Sequence, residues 1–89
     1  MLHINQDNYS GFEIIFSNGW KISVQFGTGT LSQNENVVEY QDSTDAEVRI
    51  WDNTGIPYIF ESIGSPILPY VPSDKISDLM MFVRNQEAV

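Results

Sequence analysis

The sequence predicts an α+β fold: an antiparallel sheet of four to five strands, built from two β-hairpins and packed by one C-terminal helix. Three observations carry this. Apolar residues alternate with polar ones on both sides of Asn18-Gly19 and again on both sides of Asn53-Thr54-Gly55. Ile76, Leu79, Met80 and Val83 then recur at helical spacing near the C-terminus. A period of two marks a strand with one buried face, and a stripe at i, i+3, i+4 and i+7 marks an amphipathic helix. One helix laid on one apolar sheet face is the economical two-layer solution.

The first hairpin fixes its own register. Phe12, Ile14 and Phe16 precede Asn18-Gly19, and Trp20, Ile22, Val24 and Phe26 follow it. A two-residue Asn-Gly loop would pair Phe16 with Lys21 and set the two apolar groups on opposite faces. A three-residue loop, Ser17-Asn18-Gly19, pairs Phe16 with Trp20, Ile14 with Ile22 and Phe12 with Val24, so that all share one face. That loop needs a left-handed third residue, and Gly19 stands there. The second hairpin follows the same logic. Ala46, Val48 and Ile50 lead into the loop Asn53-Thr54-Gly55, which predicts Ile50 opposite Tyr58, Val48 opposite Phe60 and Arg49 opposite Ile59. Trp51 and Pro57 fall on the other face. Pro57 has no N–H and points to an edge or a short pairing.

Between and around the hairpins the pattern weakens. Residues 1–10 read as a mobile N-terminus. Residues 27–45 have loop composition, with Val37–Tyr40 as a candidate short strand, and 61–69 read as a connector with a brief extended segment. The helix is expected over 73–86, with Ser73 as N-cap, Asp74 at the positive end of the dipole and Arg84 near the negative end.

Size and charge exclude several classes of function. A chain of 89 residues and 10.1 kDa makes one domain, 1–89. Area scaling buries about 64% of the unfolded surface, a single modest core with no room for a deep active site. Twelve acids against four bases give a net charge of −8, which argues against direct binding to nucleic acid or to an anionic membrane. Without cysteine there is no disulfide, thiolate nucleophile or zinc–thiolate site. No apolar run reaches the length of a membrane span, and Met1–Asp7 lacks the pattern of a signal peptide. The expectation is a cytoplasmic protein.

Candidate chemistry is sparse. Asp52-Asn53-Thr54-Gly55 is superficially like the Asp-Thr-Gly of aspartic proteases, but the spacing is off by one residue and the chain is too short, so it reads as a turn. Gly27-Thr28-Gly29-Thr30 could form a nest of backbone N–H groups, but it lacks the Gly-Lys-Ser/Thr ending of a phosphate loop. His3, the single histidine, has no partner in the sequence pattern that would hold it for acid–base work. Catalysis by carboxylates needs a cleft and a pair with split pKa values, and neither can be nominated. The expectation is therefore no enzyme, no cofactor and no metal site.

One grouping does stand out. Glu35, Glu39, Asp42, Asp45, Glu47 and Asp52 place half of all the acids within 18 residues, with only Arg49 among them. Asp42 to Glu47 supplies oxygens, but without the glycine a calcium loop uses. A solvated acidic surface explains the cluster by solubility alone. A recognition surface for a basic protein partner explains it by function, with carboxylates standing in for phosphates in a nucleic-acid-binding groove. Trp51, Tyr40 and Phe82 fall off the main core face, and aromatics bordering acids suit an interface. The partner-binding set read from the sequence is thus Glu35, Glu39, Asp42, Asp45, Glu47, Trp51 and Asp52. Two alternatives stay open: an oligomer that binds a nucleotide-like ligand through Gly27–Thr30, and a structural module that self-associates through the second hairpin.

Three segments carry a resemblance: Gly11-Phe12-x-Ile14-x-Phe16-x-Asn18-Gly19-Trp20-x-Ile22-Ser23-Val24-Gln25-Phe26-Gly27, Ala46-Glu47-Val48-x-Ile50-Trp51-Asp52, and Tyr70-Val71-Pro72-Ser73-Asp74. Together they resemble small acidic proteins encoded by bacteriophages and prophages. The Pro72-Ser73 order departs from the Ser-Pro of that pattern. The resemblance implies a phage accessory protein acting inside a bacterial host cell. It carries over no activity and no functional residues.

Overall fold

The computed structural model describes residues 2–4, 10–26 and 45–89. These form β1 (Leu2–Ile4), β2 (Ser10–Ile15), β3 (Lys21–Phe26), β4 (Asp45–Trp51), β5 (Ile67–Pro72) and α1 (Ser73–Arg84). The five strands make one antiparallel sheet in the order β1-β2-β3-β4-β5, a meander in which every neighbour in sequence is a neighbour in space. The helix packs across β3, β4 and β5. The α+β expectation holds.

The first hairpin has the register the alternation demands. Ile14 faces Ile22 and Phe12 faces Val24. Phe16 and Trp20 close the loop: the Phe16 N–H donates to the Trp20 carbonyl at 2.9 Å, and the Gly19 N–H donates to the Phe16 carbonyl at 2.9 Å. Gly19 has φ 87°, a left-handed conformation that a Cβ would disfavour. The second turn repeats the design. The Asp52 N–H donates to Ile56 O, the Gly55 N–H donates to Asp52 O, and Gly55 has φ 89°. Trp51 bridges Pro57, and the Tyr58 N–H donates to Ile50 O, as expected.

Beyond Tyr58 the sequence reading fails. Val48 faces Leu68, not Phe60, and Arg49 faces Ile67, not Ile59. The chain folds back on itself instead. The Phe60 N–H donates to Ser65 O, and the Ile63 and Gly64 N–H groups donate to Phe60 O. This tight turn returns the chain so that β5 takes the place beside β4 that was assigned to Phe60. The connector expected over 61–69 is thus a turn followed by a full strand. The β4–β5 register slips between Ala46 and Val48, so Pro69 and Tyr70 together oppose Glu47 in a bulge. Tyr70 is left-handed there, φ 54°, where a glycine is usual. At the other edge, Leu2–Ile4 pair with β2, Leu2 opposite Ile14 and Ile4 opposite Phe12, so the N-terminal segment contributes a strand. The candidate strand Val37–Tyr40 lies outside the described residues.

The core is one layer between sheet and helix. Ile22, Val24, Val48, Ile50, Val71 and Val83 are buried completely or nearly so, with Trp20, Ala46, Phe60 and Leu79 around them. From the helix, Leu79 and Val83 are buried and Ile76 and Met80 pack against the cluster, which is the predicted stripe. Phe82 also packs inward. Its ring meets Tyr58 edge-on at 5.3 Å, so it belongs to the core and not to an outer face. The helix begins at Ser73 itself, so its cap position falls one residue earlier than expected. Pro72, with φ −72° and ψ 160°, occupies the flanking position, Ser73 is already helical, and no side chain caps the first turn.

The C-terminal end is capped from afar. Asn18 Nδ2 donates to the carbonyls of Val83 (2.9 Å), Arg84 (3.3 Å) and Gln86 (2.8 Å), while Asn18 Oδ1 accepts the Trp20 N–H at 3.0 Å. The last carbonyls of a helix have no partner within it, and here a hairpin turn supplies one. This ends α1 at Arg84, short of residue 86. The following tail is strapped along the hairpin tips. Trp20 Nε1 donates to Glu87 O at 3.0 Å, and the Asn53 amide exchanges bonds with the N–H and C=O of Val89.

Candidate functional site

The register sorts the strand residues into two faces. Core residues share one face. The other carries rows set by direct pairing: Ile15, Lys21, Trp51 and Pro57 in one, Glu13, Ser23, Arg49 and Ile67 in the next, Gly11, Gln25 and Glu47 in the third. The helix covers the first face, so any sheet-borne site is on the second.

The described members of the sequence-derived acidic set do not form one patch there. Glu35, Glu39 and Asp42 lie outside the described residues, as do Tyr40 and the segment Gly27–Thr30. Asp45 begins β4 opposite Pro72, whereas Trp51 ends it. At the rise of an extended chain these positions stand about 20 Å apart. The described members of the set are thus spread along β4, with Asp45 at one end and Trp51 and Asp52 at the other.

Two of its acids are occupied within the fold. Glu47 is only 7% exposed, and its Oε1 accepts the Arg49 Nε–H at 3.2 Å. It is a buried, paired carboxylate, and its place in an outward acidic surface is corrected. Asp52 holds the second turn. Its Oδ1 accepts the Thr54 Oγ1–H at 2.6 Å, the Thr54 N–H at 2.8 Å and the Ile56 N–H at 3.1 Å. The Thr54 hydroxyl first, and then the backbone N–H groups, hold the Asp52 carboxyl below its ordinary value, because each bond favours the ionised form. The Asp-Asn-Thr-Gly sequence is thus turn chemistry, as expected.

Trp51 is where the sequence pointed to an interface, and its surroundings are distinctive. Lys21 Nζ sits 4.3 Å from the centroid of the Trp51 ring, a cation–π contact, and 3.9 Å from Glu13 Oε2. A shallow groove of about 320 Å³ runs beside them, lined in part by Ile15, Lys21, Trp51 and Asn53. Lys21, Ile15 and Pro57 were missed as members of this site. The hairpin pairing itself held the signal, since a three-residue first loop sets Lys21 opposite Ile15.

Among the described residues no three His, Cys, Asp or Glu side chains gather as a metal site would require. His3 stands in β1 opposite Glu13. No helix among these residues is long and apolar enough to cross a membrane. No protein-family model, curated protein or solved structure matches the chain.

Proposed function

We propose that this chain is a non-enzymatic, phage-encoded accessory protein of the host cytoplasm. It binds a basic macromolecular partner, and acts as an inhibitor by presenting carboxylates in place of nucleic-acid phosphates. One observation carries the reading. Glu35, Glu39, Asp42 and Asp45 fall within 11 residues, and no base lies between Lys21 and Arg49. Both flanking bases are engaged on the sheet, Lys21 with Glu13 and Arg49 with Glu47. The four acids are thus left without a cation close by in sequence to offset them. A concentration of carboxylates with no base nearby in sequence attracts a basic groove and speeds encounter with it.

The test is capture from host lysate by the tagged protein beside a Glu39→Lys, Asp42→Lys, Asp45→Lys variant. Glu47 is left intact because its burial would confuse folding with recognition. The expected result is one basic protein held by the wild type, released as the Debye length shrinks from about 10 Å at 0.1 M salt towards about 3 Å at 1 M, and lost by the variant. Equal retention by the variant would overturn the acidic-surface reading.

A further inference from the structure

Asn18 precedes a glycine, and no other asparagine of the chain does. In that sequence the side-chain amide is most open to attack by the next main-chain nitrogen, because glycine has no Cβ to hinder the approach. Burial does not shield the pair. Gly19 is exposed and Asn18 half-buried, so base and water reach them. Hydrogen bonds do shield it. The nucleophile, Gly19 N, donates its proton to Phe16 O at 2.9 Å. The leaving group, Asn18 Nδ2, is held by the carbonyls of Val83, Arg84 and Gln86, and Oδ1 accepts the Trp20 N–H. The carboxamide can turn towards Gly19 N only by breaking bonds at both of its ends.

We propose that Asn18-Gly19 is a deamidation site gated by the joint between the first hairpin turn and the end of α1. The closed joint holds the amide, and local opening of residues 83–89 frees it. Gly19 N, losing its proton to base, then attacks Asn18 Cγ. The Cγ–Nδ2 bond breaks, ammonia leaves, and a five-membered imide remains. Water adds to either imide carbonyl and opens the ring to aspartate or isoaspartate. In sum, one amide and one water give one carboxylate and one ammonium ion, with nothing oxidised or reduced. The product cannot remake the joint. It sets an anion where Nδ2 met three carbonyls, at the negative end of the helix. Opening of the joint therefore leads to a one-way step that keeps it open and limits the lifetime of the folded chain. None of the acids invoked for partner binding takes part, so either proposal can fail alone.

The test is incubation of the full chain in mildly alkaline buffer, with and without denaturing urea, followed by peptide mapping by mass spectrometry. Conversion at residue 18 should be slower by about tenfold or more in the folded chain. In urea, Gly19→Ala should slow it, because a Cβ now hinders the attacking nitrogen. Asn53→Ala removes an exposed side chain that holds Val89 through both its N–H and its C=O. It should speed conversion of the folded chain by about threefold or more and leave the rate in urea unchanged. The purified product should unfold at lower urea than the unreacted chain and exchange the Asn85 and Gln86 amides faster. Equal rates with and without urea would overturn the proposal. So would an unchanged rate in folded Asn53→Ala, or a product as stable as the unreacted chain.

Discussion

Asn18 joins the first hairpin turn to the end of the helix, and removing its side chain tests whether that joint stabilises the fold. Asn18→Ala deletes bonds to Val83 O and Gln86 O at 2.9 and 2.8 Å and the acceptor of the Trp20 N–H at 3.0 Å. The fourth contact, to Arg84 O at 3.3 Å, is long and is counted as nothing. Three bonds at a net 0.5–1.5 kcal/mol each give about 1.5–4.5 kcal/mol. The site is only partly buried, so water recovers some of this and about 2 kcal/mol is expected. For a domain of this size that lowers Tm by about 10 °C. Urea unfolding should show a lower midpoint at unchanged slope. Amide exchange should accelerate first at Asn85 and Gln86, whose N–H groups close the last turn. An alanine variant within about 0.5 kcal/mol of wild type would refute the capping argument.

Ile50 is fully buried, and Ile50→Ala should cost about 2–5 kcal/mol by chemical denaturation, a large share of the roughly 4–13 kcal/mol such a domain holds. At Gly19 a Cβ would lie 2.7 Å from Asn53 Cβ on top of its left-handed backbone. Gly19→Ala should therefore destabilise by more than about 1 kcal/mol, read as a fall in Tm. Asp52 has a folded pKa below its unfolded one, so its stabilisation is present above the unfolded value and lost as pH falls through the folded value. The urea midpoint of wild type should exceed that of Asp52→Ala at neutral pH, and the gap should close below about pH 4.

What could be read from the sequence was what a single local rule decides. The three-residue first turn follows from one condition, that Phe12, Ile14, Phe16 and their partners share a face. The helix follows from a stripe of four residues. Strand β5 obeys no such rule. Its sequence Ile-Leu-Pro-Tyr-Val-Pro contains two prolines and a bulge, and Tyr70 adopts a backbone that only glycine or asparagine would advertise. With only three residues, β1 is too short to show a period. The described acids of the set, Asp45, Glu47 and Asp52, do not stand together, for a geometric reason. Six acids within 18 residues look like a cluster, but an extended strand carries its residues about 3.3 Å apart and alternates their faces. That alternation turned Glu47 onto the second face, where it is buried.

Asn18 shows where local reading stops even when it is right. Asn-Gly and Asp-Gly are equally good turn formers, so the turn alone would tolerate aspartate. The cap would not. Aspartate keeps an acceptor for the Trp20 N–H but replaces the Nδ2 donor with an anion facing three carbonyls at the negative end of α1. That end disfavours negative charge by about 0.3–1 kcal/mol beyond the lost bonds. Stability should therefore fall for Asn18→Asp by at least about 1 kcal/mol while the hairpin pairs Ile14–Ile22 and Phe12–Val24 persist by NMR. If aspartate matched asparagine, the residue would be serving its turn alone, and the long-range bonds to residues 83–86 would contribute nothing to holding helix and sheet together.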